Sequence, residues 1–171
     1  MIAKITLATV VIAALPLTAK CAPDAQASQA IPSNCRAGLT TGQAANARAV
    51  LQVADEMKYG GELGLPERAK VIAIATTLQE SNLNRNAIGD GGAAVGVFQQ
   101  HPHWGRNRTD PAASAKRFYS RLVKVPRWRT RPLTEAAQAV QRSAYPNAYA
   151  KHEPKAERIV AKLAACKEAG R

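Results

Sequence analysis

Aromatic residues are scarce in this chain: two Trp, four Tyr and two Phe among 171 residues. The core must therefore be assembled mainly from Ala, Val, Ile and Leu. The scarcity also removes the stacking platforms on which single-stranded nucleic-acid surfaces depend. Acidic residues are half as numerous as basic ones, 12 against 24, for a net charge of +12. A field of that sign concentrates polyanions at the surface. Only one long apolar run occurs, so a bundle of membrane-spanning helices is excluded. There are no internal repeats and no heptads. Three cysteines are an odd number, which rules out a fully paired disulfide framework within the chain. The three histidines are His101, His103 and His152. His101-Pro102-His103 is not a helical ligand pair, and a zinc site needs three or four converging ligands. No metal and no cofactor is expected.

The single apolar run is N-terminal. Met1 to Lys4 is a short basic start, Ile5 to Ala19 is apolar or small, and Ala25-Gln26-Ala27 is a small-x-small step. This is the layout of a secretory signal peptide, cleaved after Ala27. Leu17-Thr18-Ala19 is a weaker alternative site, and an uncleaved anchor stays open. The run is shorter than the roughly 20 residues that a spanning helix needs. The organisation expected is a signal peptide over 1–27, an extended arm over 28–42, and one domain over 43–171. The destination expected is extracellular or associated with the cell wall, with a monomer as the working state. Cys21 would leave with the leader, and Lys20 before it argues against a lipid-attachment role. Cys35 and Cys166 remain. An oxidising destination favours a bridge between them, against the alternative of two free thiols. Loss of Lys4, Lys20 and Asp24 with the leader leaves the basic excess almost intact. For an exported bacterial protein the matching polyanion is the envelope, with its stem-peptide carboxylates and wall phosphates.

Five segments carry helical spacing. The first, about Gln43 to Lys58, places Ala47, Val50, Leu51, Ala54 and Met57 on one face, and Tyr59-Gly60-Gly61 ends it. The second begins near Pro66, a residue suited to a first turn. It buries Val71, Ile74, Ala75 and Leu78, and exits near Asn82 and Asn84. Ile88-Gly89-Asp90-Gly91-Gly92 is a turn signal, followed by a short strand-like stretch, Ala94 to Gln99. The third helix opens at Asp110-Pro111 and carries Ala115, Phe118, Tyr119 and Leu122. The fourth opens at Pro132-Leu133-Thr134, with Thr134 as cap, and runs to about Ser143. The fifth runs from Pro154 to Gly170 with Ile159, Val160, Leu163 and Cys166. The fold class expected is α+β, mainly α, with a small β or loop excursion between the second and third helices.

Glu80 stands near the C-terminal end of the second helix. Helical spacing groups it with Ala73, Thr76 and Thr77, small side chains that leave room for a ligand. The negative end of the helix dipole disfavours its charged form by about 0.3–1 kcal/mol. An apolar pocket would raise its pKa further. A carboxyl that stays protonated is what glycosidic cleavage requires, because the leaving oxygen must receive a proton.

The segment from Glu80 to Pro102 closely resembles the core motif of the soluble lytic transglycosylases. Glu80-Ser81 closes a helix. An Asn-rich turn follows over Asn82 to Asn86, then Ala87-Ile88-Gly89, Gly92-Ala93, Gly96-Val97-Phe98-Gln99 and Pro102. The spacing departs from the usual pattern by about one residue near Gly91-Gly92. A wider similarity to secreted actinobacterial lysozyme-like proteins runs through Asp110-Pro111, Phe118-Tyr119 and Pro132 to Glu153. The resemblance implies a lysozyme-like fold and cleavage of peptidoglycan between N-acetylmuramic acid and N-acetylglucosamine.

Carried over residue by residue, the resemblance makes Glu80 the catalytic acid. Ser81 would hydrogen-bond near it or support its helix end. Gln99 and the backbone around Gly96 would line the floor that holds the sugars. The family's Ala-Tyr-Asn-Ala-Gly element is replaced here by Ser143-Ala144-Tyr145-Pro146-Asn147-Ala148-Tyr149. Tyr145 is its best counterpart. Pro146 and the missing glycine depart from the pattern, which leaves both Tyr145 and Tyr149 open between substrate contact and core packing.

Asp90 is the only acid between Glu80 and Asp110. It is a turn former first, and a second catalytic carboxylate as the alternative. Without one, the resemblance implies transglycosylase chemistry with a 1,6-anhydro product; if Asp90 positions a water instead, the product is hydrolysed. A non-catalytic peptidoglycan-binding module is the remaining alternative. Nucleic acid is not expected as a partner, for want of its motifs. Trp104 is either a sugar-stacking residue or a loop anchor. Arg106 to Arg131 holds nine basic residues and one acid. It is either a solvated helix face or a surface for anionic wall polymers.

Overall fold

The computed structural model describes residues 31–143 and 145–170. The expected leader, with Cys21 inside it, falls outside the described residues. Five α-helices are joined by two small antiparallel hairpins, so the chain is α+β and mainly α.

The segment expected as an extended arm is instead packed down. Ile31, Cys35 and Leu39 are all buried, and a 3-10 turn spans Ser33–Cys35. Cys35 is bridged to Cys166, with their Cα atoms 5.9 Å apart. Thr40 then caps helix α1 (Thr41–Glu56) by accepting from the Gln43 amide, while the Gln43 side chain caps the Thr40 amide in return. This capping box satisfies two otherwise orphaned donors. It starts the helix two residues before the position expected. Ala47, Val50, Leu51 and Ala54 form the buried face, as their spacing indicated.

Gly60-Gly61 does more than end that helix. Both residues have positive φ, 62° and 90°. They turn a two-residue hairpin between β1 (Lys58–Tyr59) and β2 (Glu62–Leu63), the type of turn that left-handed glycines favour.

Helix α2 (Glu67–Ser81) is the axis of the fold. Ala69 and every residue from Val71 to Leu78 are buried. It packs against α5 (Glu153–Ala169), α1, α4 (Leu133–Gln141) and α3 (Pro111–Leu122). The small face of Ala73, Thr76 and Thr77 is therefore covered by protein, which leaves no room along it for the ligand expected there. Thr76 and Thr77 turn their hydroxyls back onto the carbonyls of Ile72 and Ile74. That hides their polarity from the core.

The start of α3 is as expected: Asp110 caps it by accepting from the Ala113 amide, with Pro111 in the first turn. Its Ala115, Phe118, Tyr119 and Leu122 are fully buried, and Phe118 stacks on Phe98 at 4.7 Å between ring centroids. Helix α4 opens differently. Pro132 occupies the cap position, and Thr134, expected as the cap, instead donates its hydroxyl to the Pro146 carbonyl at 2.5 Å.

Candidate functional site

The site begins where α2 stops. Asn82 takes the left-handed conformation (φ 52°) and its amide donates to the Leu78 carbonyl. Asparagine tolerates that backbone better than most residues. Helix α1 seals the exit: Gln43 Nε2 donates to the Asn82 carbonyl, and buried Asn46 Nδ2 to the Leu83 carbonyl at 2.7 Å. The last turn of α2 is thereby fixed, and Glu80 with it.

Beyond the exit, β3 (Ile88–Gly89) pairs with β4 (Ala94–Val95) around the glycine-rich turn. Ser81 joins the two parts. Its hydroxyl donates to the Val97 carbonyl at 2.9 Å and accepts from the Asn84 amide, so it supports the helix end. Gly96 is buried rather than lining the floor, which corrects the role expected for it. Its φ is +76°, and a Cβ there would sit 2.2 Å from the Arg108 carbonyl oxygen. It is glycine because the 108–109 backbone crosses it. Gln99 does face the open side, but both its amide donor contacts go to backbone, the Ala87 and Gly96 carbonyls. It holds the loop that forms one wall.

A groove of about 1140 Å³ opens against this wall, with Glu80 inside it. Gln99, His101 and Trp104 stand on one side, Arg121 and Lys124 on α3 and the segment after it, and Gln141 to Ser143 at the end of α4. Glu80 is half-buried. Burial raises its carboxyl above the usual carboxylate range. Hydrogen bonds from Tyr149 and then Gln141 pull partly the other way, since they favour the charged form. The Tyr149 hydroxyl donates to Glu80 Oε1 at 2.7 Å. Burial, the Glu80 charge and that hydrogen bond hold the phenol above its ordinary range, despite an opposing contact from Ser143. Tyr149 therefore stays a donor.

The two tyrosines, both left open between substrate contact and core packing, are placed differently. Tyr145 is 74% exposed, whereas Tyr149 is fully buried and faces the acid. The 145–149 turn carries Tyr145 outward, with Ser143 Oγ accepting from its amide. Asp90 is on the turn, its side chain 70% exposed, 3.6 Å from His101 Nε2. It does not line the groove. Trp104 is buried, with the Arg121 guanidinium carbon 3.4 Å above its ring.

The basic stretch divides by role. Arg108 donates to the Ala93 and Gln100 carbonyls, and Arg117 to Gln100 Oε1 and the Asn107 carbonyl. These two strap the loop to α3. Arg121, Lys124 and Arg131 line the groove instead. Gln141 and Arg142 carry no signal in the sequence; they reach the site because α4 ends beside Glu80. Among the described residues, no group of three or more His, Cys, Asp or Glu side chains is arranged to hold a metal ion.

Neither a scan of known protein families nor a search of curated proteins finds a match to this chain.

Proposed function

We propose that this protein cleaves the glycan strand of peptidoglycan between N-acetylmuramic acid and N-acetylglucosamine, by lytic transglycosylase chemistry. One observation carries the reading: a single half-buried carboxyl, Glu80, raised above its usual range and hydrogen-bonded by Tyr149, faces a groove large enough for sugar rings. The resemblance of Glu80 to Pro102 to the transglycosylase motif supplies the substrate.

In the first step Glu80 gives its proton to the glycosidic oxygen as the bond from the muramyl C1 breaks, so the N-acetylglucosamine O4 leaves as a hydroxyl. The muramyl N-acetyl oxygen supports the cationic C1. In the second step the Glu80 carboxylate takes the proton of the muramyl C6 hydroxyl while O6 attacks C1. The 1,6-anhydro ring closes and Glu80 returns to its protonated state. Tyr149 stabilises the carboxylate between the two steps and fixes which oxygen faces the sugar. Among the described residues no second carboxylate lines the groove, and Asp90 stands outside it, exposed. This favours the anhydro product over inverting hydrolysis, which uses a second carboxylate to activate water.

The reading places the protein outside the cytoplasm, at the wall. Digestion of purified peptidoglycan, followed by mass spectrometry, tests it. Anhydro-muramic ends are expected; reducing ends would reassign the chemistry to hydrolysis. Glu80→Gln should lower the rate by about 100- to 10,000-fold, the range for loss of a general acid. A variant that cleaves at the parent rate would overturn the reading.

A further inference from the structure

Three cations at the start of α2 and on the facing α5 have an acid beside them. Lys70 and Lys167 share Asp55, at 2.5 and 2.7 Å, and Arg68 pairs with Glu153. The groove breaks this habit. Arg121, Lys124, Arg131 and Arg142 all line it, and Glu80 is the only acid among the described residues that does so. Arg131 has Glu135 at 3.8 Å. Among the described residues, no carboxylate pairs with Arg121, Lys124 or Arg142.

Arg121 is the most telling of these. Its guanidinium lies flat on Trp104 at 3.4 Å, which fixes its position. Burial and then the charges of Arg142 and Arg117 all work against its charged form. Two guanidiniums that line one groove and act on each other, one of them stacked on a ring, form a site that an anion would stabilise. A planar guanidinium is suited to carboxylate and phosphate oxygens, which it can grip in pairs.

We infer that the groove binds an oxyanion carried by the glycan strand, held between Arg121 and Arg142 with Lys124 beside them. This rests on the proposed cleavage of peptidoglycan for its strand, but not for its anion site. The chemistry shared by the two available sources is a singly charged oxyanion: a stem-peptide carboxylate, or a phosphodiester on the muramyl C6 oxygen. The two differ in consequence. A substituted O6 cannot close the anhydro ring, so a phosphodiester-bearing muramyl residue would be bound and not cleaved, whereas a stem carboxylate leaves O6 free.

The test measures binding on Glu80→Gln, so that affinity is read without turnover. Four soluble glycan strands serve as probes: stems with free carboxylates, stems with those carboxylates amidated, strands stripped of stems with the exposed lactyl carboxylates amidated, and strands with amidated stems and a C6 phosphodiester. One of the two anionic strands should bind about fivefold more tightly than the amidated one, the scale of a partly exposed charge pair. The preference should shrink as salt rises from 0.05 to 0.5 M, because the screening length falls well below about 10 Å. Arg142→Asn and Lys124→Gln, both at exposed positions, should each reduce it. Preference for the carboxylate or for the phosphodiester strand supports the site and names its source. Equal affinity for all four strands, or a preference untouched by both variants, overturns it. Turnover by the unsubstituted protein on the same strands separates the two ideas. An anionic preference without cleavage would leave the site standing and remove the enzymatic reading. Cleavage with equal affinities would do the reverse.

Discussion

Two stretches of α2, about ten residues or ~15 Å apart at the helical rise, use charge in opposite ways. Around Lys70, one carboxylate, Asp55, holds two lysines from α2 and α5, and the neighbouring Cys166 ties α5 to the segment before α1. Around Glu80, among the described residues, the carboxyl has no cationic partner, and of the groove cations only Arg131 has a carboxylate, Glu135. The first arrangement satisfies its charges within the fold. The second leaves them for something that arrives. Stability and function are thus separated along a single helix, and substitutions at the two places should fail in different ways.

The largest expected effect is on the first region. Replacing Cys35 and Cys166 with Ser opens a bridge that spans 131 residues. The chain-entropy estimate for so long a loop is about 4–5 kcal/mol as an upper figure. Calorimetry should show Tm lower by on the order of 10 °C, while cleavage at 25 °C stays near the parent rate. Equal loss of cleavage and of stability would mean that the two regions are coupled after all. In the second region, Tyr149→Phe should leave Tm nearly unchanged and act on the pH profile. Tyr149 donates to the Glu80 carboxylate and so opposes the rise caused by burial. Without it the Glu80 pKa climbs further, and the alkaline limb of kcat/KM moves to higher pH. The rate at the optimum should fall about tenfold, the scale of a hydrogen bond to a charged group. A limb that stays in place would show that Tyr149 packs without tuning the acid.

Where local chemistry decides the structure, it could be read from the sequence. Asp110-Pro111 starts a helix because a cap and a proline act within one turn, and the α1 and α3 faces follow from spacing alone. Glu80 and Ser81 were placed by the motif. What could not be read depends on chain path. Tyr149 rather than Tyr145 reaches Glu80 because the irregular 145–149 turn reverses the direction of the chain, and no periodicity records that. The covered face of Ala73, Thr76 and Thr77 was mistaken for open space. Yet Ala69 to Leu78 holds one charge, Lys70, in ten residues, which is the mark of a helix buried all round. Gly60-Gly61 was likewise a hairpin signal read only as a stop. Gly96 looked like a sugar-floor residue because the motif contains it; its constraint comes from Arg108, twelve residues later.

The smallest effects give the sharpest contrast, because the two carboxyls should respond to pH with opposite sign. For Asp55, burial alone would raise the pKa, but Lys167 and Lys70 together outweigh it, so the folded value lies below the ordinary 3.8. The folded state then binds fewer protons than the unfolded state. Its contribution is present in full above about pH 4 and is lost as pH falls through the folded value. Glu80 is the reverse: its folded pKa lies above the ordinary 4.5, so its carboxyl destabilises the fold increasingly as pH rises from there to the folded value. Asp55→Asn should therefore be less stable than the parent at pH 7, by about 1 kcal/mol given its partial exposure, with the gap closing below pH 4. Glu80→Gln should be as stable as the parent at pH 4 or slightly more so, and should gain on it toward neutral pH. Urea unfolding of the three proteins between pH 3 and 8 reads both slopes. If Glu80→Gln lost stability as pH rose, Glu80 would be a paired surface charge like Asp55, and the difference between the two stretches of α2 would disappear.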